Sequence, residues 1–275
     1  MPRRPAPPFP AGLRPTPGAA TAAARLGAAA GLLALTLTGC AGDAAPGSAT
    51  GPTAPATEAA AVATGAFPAG TFVRDPAGVY RFSPDGLYLY WQQDQQSDLT
   101  AGGTYEVDGS TFTSGRSASL DACTTEGSYD WLLEGDDLAF EEIDEPCRSR
   151  ADGLSGQTYT RTDQPEADVG DFPTGTFVHA DGPDSGRFAF TRDGMWLHWP
   201  SADEQPDVAG AFTVDGATFT ESLNTQSATR DPGRQVPARY TWTFDGTTLT
   251  FTLTGTDDST DRVAAYDGQN YVVQR

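Results

Sequence analysis

From residue 67 onward, apolar and polar positions take turns along the chain, and Asp-Gly or Gly-rich steps break the runs. That period of two is the pattern of strands with one buried face. In the first half it predicts strands near 70–74, 78–83, 87–92, 103–107, 110–114, 127–133, 137–143 and 157–161. Asp85-Gly86 and Asp108-Gly109 suit tight hairpins, because glycine accepts positive φ. No window shows a convincing amphipathic helix. Consecutive short hairpins predict an antiparallel meander of about eight strands closed into a barrel, since closure removes exposed edges.

The pattern then repeats. Phe67-Pro-Ala-Gly70-Thr-Phe72-Val73 returns as Phe172-Pro-Thr-Gly175-Thr-Phe177-Val178. Asp85-Gly86 meets Asp193-Gly194, Val107-Asp108-Gly109 meets Val214-Asp215-Gly216, and Tyr129-Asp-Trp131 meets Tyr240-Thr-Trp242. Arg150 meets Arg262, and Tyr159 meets Tyr271. The offset drifts from 105 to 112, so the repeat is one duplicated unit with small loop insertions rather than a short-period solenoid. The predicted organisation is all-β, with two tandem small antiparallel barrels at 67–161 and 172–275 joined by a linker at 162–171.

An opening Gly-Thr-Phe, an eight-strand meander and a late arginine resemble the lipocalin or calycin-type barrel. In that family a glycine and an aromatic near the first strand pack beneath a late arginine. The resemblance implies Gly70 and Phe72 packed under Arg150, and Gly175 and Phe177 under Arg262. It also implies a binding role for a small apolar or amphipathic molecule. The aromatic is Phe where that family usually has Trp, and each unit is shorter than a typical lipocalin.

The first 66 residues have another character. Arg3, Arg4, Arg14 and Arg25 precede an apolar run from Leu26 to Thr38, which ends at Leu37-Thr38-Gly39-Cys40. A run of that length is too short for a bilayer, which takes about 20 residues. Basic, apolar and small-residue parts in this order form a secretion signal. The last four residues resemble a bacterial lipobox, which implies cleavage before Cys40 and diacylglycerol on its thiol. The segment 1–39 is then a signal peptide. Segment 40–66 is a lipidated cysteine with a flexible linker of Ala, Gly, Pro, Ser and Thr, too poor in large apolar side chains to offset its own ordering. The expectation is an exported protein, lipid-anchored on the extracytoplasmic face of the cell membrane. Sec and twin-arginine export both stay open, since Arg3-Arg4 is followed by a poor twin-arginine context.

Charge narrows the partners. The chain has 37 acidic residues against 17 basic ones, all arginine, and a formal charge of −20. Loss of the four leader arginines takes this to −24. Such a surface repels nucleic acid, so no nucleic-acid partner is expected. The partners expected are the membrane through the anchor, and a small apolar molecule or an envelope protein.

Of three cysteines, Cys40 belongs to the leader context. Cys123 and Cys147 remain, and an exported chain with such a pair reads as one disulfide. The second repeat lacks both together, with Ser259 at the Cys147 position. No catalytic constellation, zinc pattern, phosphate loop or dinucleotide fingerprint occurs. No enzyme activity, metal or cofactor is expected.

Leu87-Tyr88-Leu89-Tyr90-Trp91 matches Met195-Trp196-Leu197-His198-Trp199. Alternation puts Leu87, Leu89 and Trp91, or Met195, Leu197 and Trp199, on one face, which reads as the core face. Tyr88 and Tyr90, or Trp196 and His198, then form an outer face. It would serve as a ligand or partner patch, or pack one barrel against the other. Trp131 and Trp242 read as barrel lining. Whether the interiors are hollow or filled separates a binding module from a structural or interaction module of the envelope.

Overall fold

The computed structural model describes residues 66–75, 78–92, 99–119, 123–164, 167–225 and 236–274. The expected leader, Cys40 and the linker up to residue 65 lie outside the described residues.

The chain folds into two closed barrels of eight antiparallel strands. The first runs through β1 (Gly70–Arg74), β2 (Gly78–Phe82), β3 (Leu87–Trp91), β4 (Leu99–Asp108), β5 (Thr111–Ser119), β6 (Gly127–Glu134), β7 (Asp137–Asp144) and β8 (Gln157–Arg161). Each strand pairs with the next, and β8 closes on β1 through Phe72–Arg161 and Val73–Thr160. The second barrel repeats this order with β9 (Gly175–His179), β10 (Arg187–Phe190), β11 (Met195–Trp199), β12 (Val208–Asp215), β13 (Thr218–Asn224), β14 (Ala238–Phe244), β15 (Thr248–Leu253) and β16 (Asn270–Val273). Here β16 closes on β9. The two-residue turns after Asp108 and Asp215 hold Gly109 and Gly216 at φ of +60° and +55°, a conformation costly for any residue with a Cβ.

Two short helices went unread in the sequence. Helix α1 (Arg148–Leu154) joins β7 to β8, and α2 (Thr260–Tyr266) joins β15 to β16. Each spans two turns and buries only a few residues, so no helical period accumulates along the chain.

Inward strand positions are largely aromatic. In the first barrel Phe72, Tyr80, Phe82, Tyr88, Phe112, Tyr129, Trp131 and Phe140 form one buried cluster. Phe67, just ahead of β1, fills one end. Its ring lies 5.2 Å from the rings of Phe82, Tyr105, Phe112 and Trp131. Phe172 does the same in the second barrel, between 5.1 and 5.6 Å from Phe190, Phe212, Phe219 and Trp242. The repeated Phe-Pro-x-Gly motif is therefore a plug followed by the first strand. Trp131 and Trp242 stand at this plugged end.

The faces of β3 and β11 are exchanged relative to the sequence reading. Tyr88 and Trp196 belong to the barrel interiors. Leu87, Leu89, Met195, Leu197 and Trp199, with Leu99, Ala118 and Ala209, form a third apolar cluster between the barrels. The reason is physical: both faces of these strands are buried, so both are apolar, and alternation alone cannot assign them.

The contact brings equivalent elements together, with β3 against β11 and β4 against β12. Gly102 approaches Ala209, its own counterpart in the second repeat, so closely that a Cβ on Gly102 would collide with the Ala209 Cβ. A residue facing its own equivalent marks an approximate two-fold axis, the geometry of an isologous dimer. Polar pairs flank the apolar seam. Arg192 donates to Asp85 from its backbone and guanidinium, at 2.9–3.3 Å. Ser83 donates to Asp193 at 2.7 Å, and Arg81 reaches the same aspartate at 3.6 Å.

Candidate functional site

At the end opposite its plug, the first barrel holds a cavity of about 370 Å³. Its position follows from the strands. Arg74 ends β1, Tyr80 is the middle residue of β2, Tyr88 and Tyr90 come from β3, and Thr100 and Ala101 lie at the start of β4. Ser117, Cys123 and helix α1 complete the wall, and exposed Gln92 and Asp152 stand at the rim. Glycines make room for the rings. A Cβ on Gly103 would lie 3.0 Å from the Tyr88 hydroxyl, and one on Gly153 would lie 3.0 Å from that of Tyr80.

Below this mouth lies a buried clasp present in both repeats. Arg150 on α1 binds Glu145 through Nε and Nη2, and donates to the carbonyls of Gly115 and Thr125 at 2.9 and 2.8 Å. Tyr129 donates to the same Glu145. In the second repeat Arg262 binds Asp257 at 2.6 and 2.7 Å, and donates to the Val236 carbonyl at 2.9 Å. Tyr240 donates to Asp257 at 2.6 Å. The arginine thus ties the helix to the β5–β6 or β13–β14 connection. Burial, reinforced by the neighbouring carboxylate, pushes the phenols of Tyr129 and Tyr240 far above their ordinary pKa, so they act as neutral donors.

This geometry corrects the lipocalin correspondence. Arg150 does not lie over Phe72. The cation over that ring is Arg161 of β8, 5.1 Å from its centroid. The clasp was visible in sequence as an acid, then Cys or Ser two positions on, then Arg three further, ahead of a repeated Tyr: Glu145-x-Cys147-x-x-Arg150 and Asp257-x-Ser259-x-x-Arg262. No protein-family model and no curated protein matches the chain.

Cys123 and Cys147 are disulfide-bonded, with Cα atoms 5.6 Å apart. The bond joins the mouth wall to the first residue ahead of α1. Cys147 occupies the helix N-cap position without capping it. Ser259 occupies the same position in the second repeat and accepts from the Arg262 N–H at 3.1 Å.

The second barrel has a smaller cavity, about 210 Å³, lined by Phe188, Trp196, His198, Asp207, Val208, Asp261, Ala265 and Tyr266. His198 Nδ1 meets Asp207 at 2.7 Å. Of the residues singled out from the sequence, Tyr88 and Tyr90 therefore line one cavity, and Trp196 and His198 line the other. Trp131 and Trp242 line neither, but Trp242 lines a separate cavity of about 440 Å³ at the plugged end, with Val169, Val214 and Ala217. The Trp131 indole donates to the Gly109 carbonyl at 3.2 Å, at the plugged end. Among the described residues, no cluster of three or more His, Cys, Asp or Glu side chains is arranged to hold a metal ion.

Proposed function

We propose that this chain is an exported lipoprotein, acylated at Cys40, whose first lipocalin-like barrel binds a small amphipathic molecule in its mouth. The observation that carries the reading is the 370 Å³ cavity over a tyrosine floor. That volume lies within the range of about 300–1,000 Å³ common to small-molecule sites. Tyr80, 4% exposed, lines this cavity and puts a phenol at its wall. A phenol at the cavity wall can donate to a ligand that accepts from it. A disulfide fits an oxidising compartment outside the cytoplasm.

The test is binding of a neutral, environment-sensitive naphthylamine dye to the purified protein. Saturable fluorescence enhancement is expected, and Thr100→Trp, which puts an indole at the mouth, should abolish it. If wild type and Thr100→Trp respond alike, the cavity is not the site. The structural or interaction reading, which the aromatic filling of both barrels' plugged ends favours, would then replace it. For the anchor, Cys40→Ser should release the protein from membranes. Retention with acyl chains attached would refute lipidation at this residue.

A further inference from the structure

We infer, building on the binding role proposed above, that the ligand of the first barrel carries an anionic group and that Arg74 is the residue that selects it. Arg74 lies two residues after Phe72 on β1, so both side chains point inward, and its guanidinium sits 5.4 Å from the Tyr159 ring centroid. Among the described residues no carboxylate pairs with it, and its Nε is buried without a hydrogen bond. The other charged residues described at this mouth are already matched. Arg150 is bound by Glu145, and Asp152 at the rim pairs with Arg148 at 3.8 Å. In a protein with 37 acids and 17 arginines, a cavity-lining arginine that pairs with no acid among the described residues stands out.

The second repeat supplies the internal control. His179 stands at the Arg74 position. It is taken up by Gln269 at 2.8 Å and Asp181 at 3.6 Å. That position has lost its fixed charge, and the second barrel's cavity is lined by the acids Asp207 and Asp261, with His198 bound to Asp207. The two mouths thus differ in sign. Only the first offers an arginine fork to a carboxylate or sulfonate, with Tyr80 as a second donor and the rings of Tyr88 and Tyr90 against the ligand's apolar body.

The experiment compares an anilinonaphthalene sulfonate with the uncharged phenylnaphthylamine of the same ring system, on the purified full chain. Wild type should bind the sulfonate at least about tenfold more tightly, and the gap should close as ionic strength rises. Arg74→Gln should lose that preference while its affinity for the neutral dye holds. Arg74→Lys should recover part of it. If wild type binds both dyes equally, or Arg74→Gln keeps the preference, the inference fails while the cavity remains a binding site. If neither dye binds, or Thr100→Trp leaves both unaffected, the binding role fails with it. Circular dichroism and the unfolding midpoint separate loss of the site from loss of the fold.

Discussion

The two barrels share a plug, a clasp and a strand order, yet the mouth cavity is about 370 Å³ in one and about 210 Å³ in the other. The difference comes from a few positions. Where the first repeat has Tyr88, Gly153 and Leu154, the second has Trp196, Ala265 and Tyr266. All three changes add volume on the inner side. Tyr266 lies against Phe188, Trp196, Tyr240 and Phe251, with ring centroids 5.1–6.5 Å apart. Where the first repeat has Tyr80, the second has Phe188, so the hydroxyl at the cavity floor is gone as well. Close packing makes each such exchange count, because interiors have little free space to absorb it. The same mouth thus holds a larger cavity in the first barrel than in the second.

The clasps sharpen the comparison most. Arg262 faces two buried acids, Asp257 and, at 3.5 Å, Glu221. Arg150 faces one, because Ser114 stands where Glu221 does. Removing a cation from a buried pair costs about 3–5 kcal/mol, since the partner charge stays behind. Arg262→Met should fall at or above the top of that range, and Arg150→Met near its bottom, by urea unfolding. Equal losses would show that Glu221 does not add to the charge Arg262 must neutralise.

The same clasp sets an acid limit. Burial alone would raise the Asp257 pKa, but hydrogen bonds from Arg262, Tyr240 and the Ser259 N–H, with the Arg262 charge, hold it below the ordinary carboxylate value. A lowered folded-state pKa stabilises the fold above the unfolded value, and the gain is lost as pH falls through the folded one. Stability should therefore drop below about pH 4, and Asp257→Asn should flatten that slope while costing stability at neutral pH.

The disulfide belongs to the open barrel alone. It closes a loop with a sequence separation of 24, worth about 3 kcal/mol on the chain-entropy argument. A barrel that leaves its mouth hollow forgoes packing there, and the bond supplies a constraint at that wall. The second repeat uses its serine cap instead, worth about 1 kcal/mol. Replacing both cysteines by alanine should cost the first barrel about 3 kcal/mol. Cys123→Ala with Cys147→Ser should cost about 1 kcal/mol less if the new serine caps α1 as Ser259 caps α2. Identical losses in the two double variants would show that α1 gains nothing from a cap.

Much of this was legible in the chain. The duplicated motifs gave the two barrels, and the paired absence of Cys123 and Cys147 from the second repeat pointed to their bond. What alternation could not give was the inner face of β3. Leu87-Tyr88-Leu89-Tyr90-Trp91 is apolar on both sides because one side fills a barrel and the other fills the seam. A usable signal lay in the neighbours. Phe72, Phe82, Phe112 and Tyr129 make the lining aromatic, so the aromatic set of β3 belongs with them. The cavity itself was not legible, since it arises from residues that meet only when β1, β3, β4 and α1 converge.

At the seam the comparison turns on a single methyl group. Gly102 and Ala209 are equivalents in contact, and only one of them carries a Cβ. Gly102→Ala would place two methyls at the approximate axis. The strain should cost about 1–3 kcal/mol, appearing as a weakened coupling: one cooperative unfolding transition should separate into two. A single unchanged transition would mean that the barrels adjust freely about this contact.

The smallest effects test how far the seam departs from symmetry. Each barrel's turn aspartate takes its partner from the other barrel, but the two pairs differ in exposure. Arg192 is 71% exposed and Asp85 27%, whereas Arg81 is 15% exposed and Asp193 3%. Solvent screens the first pair, so Arg192→Ala should cost no more than about 1 kcal/mol, and nothing measurable in 1 M salt, where the screening length is about 3 Å. Arg81→Ala should cost more and respond less to salt, because Asp193 would stay buried with only the Ser83 hydroxyl as its described side-chain partner. If the two variants prove alike in size and salt dependence, the seam is energetically two-fold after all. The duplicated barrels would then have diverged at their mouths without diverging where they meet.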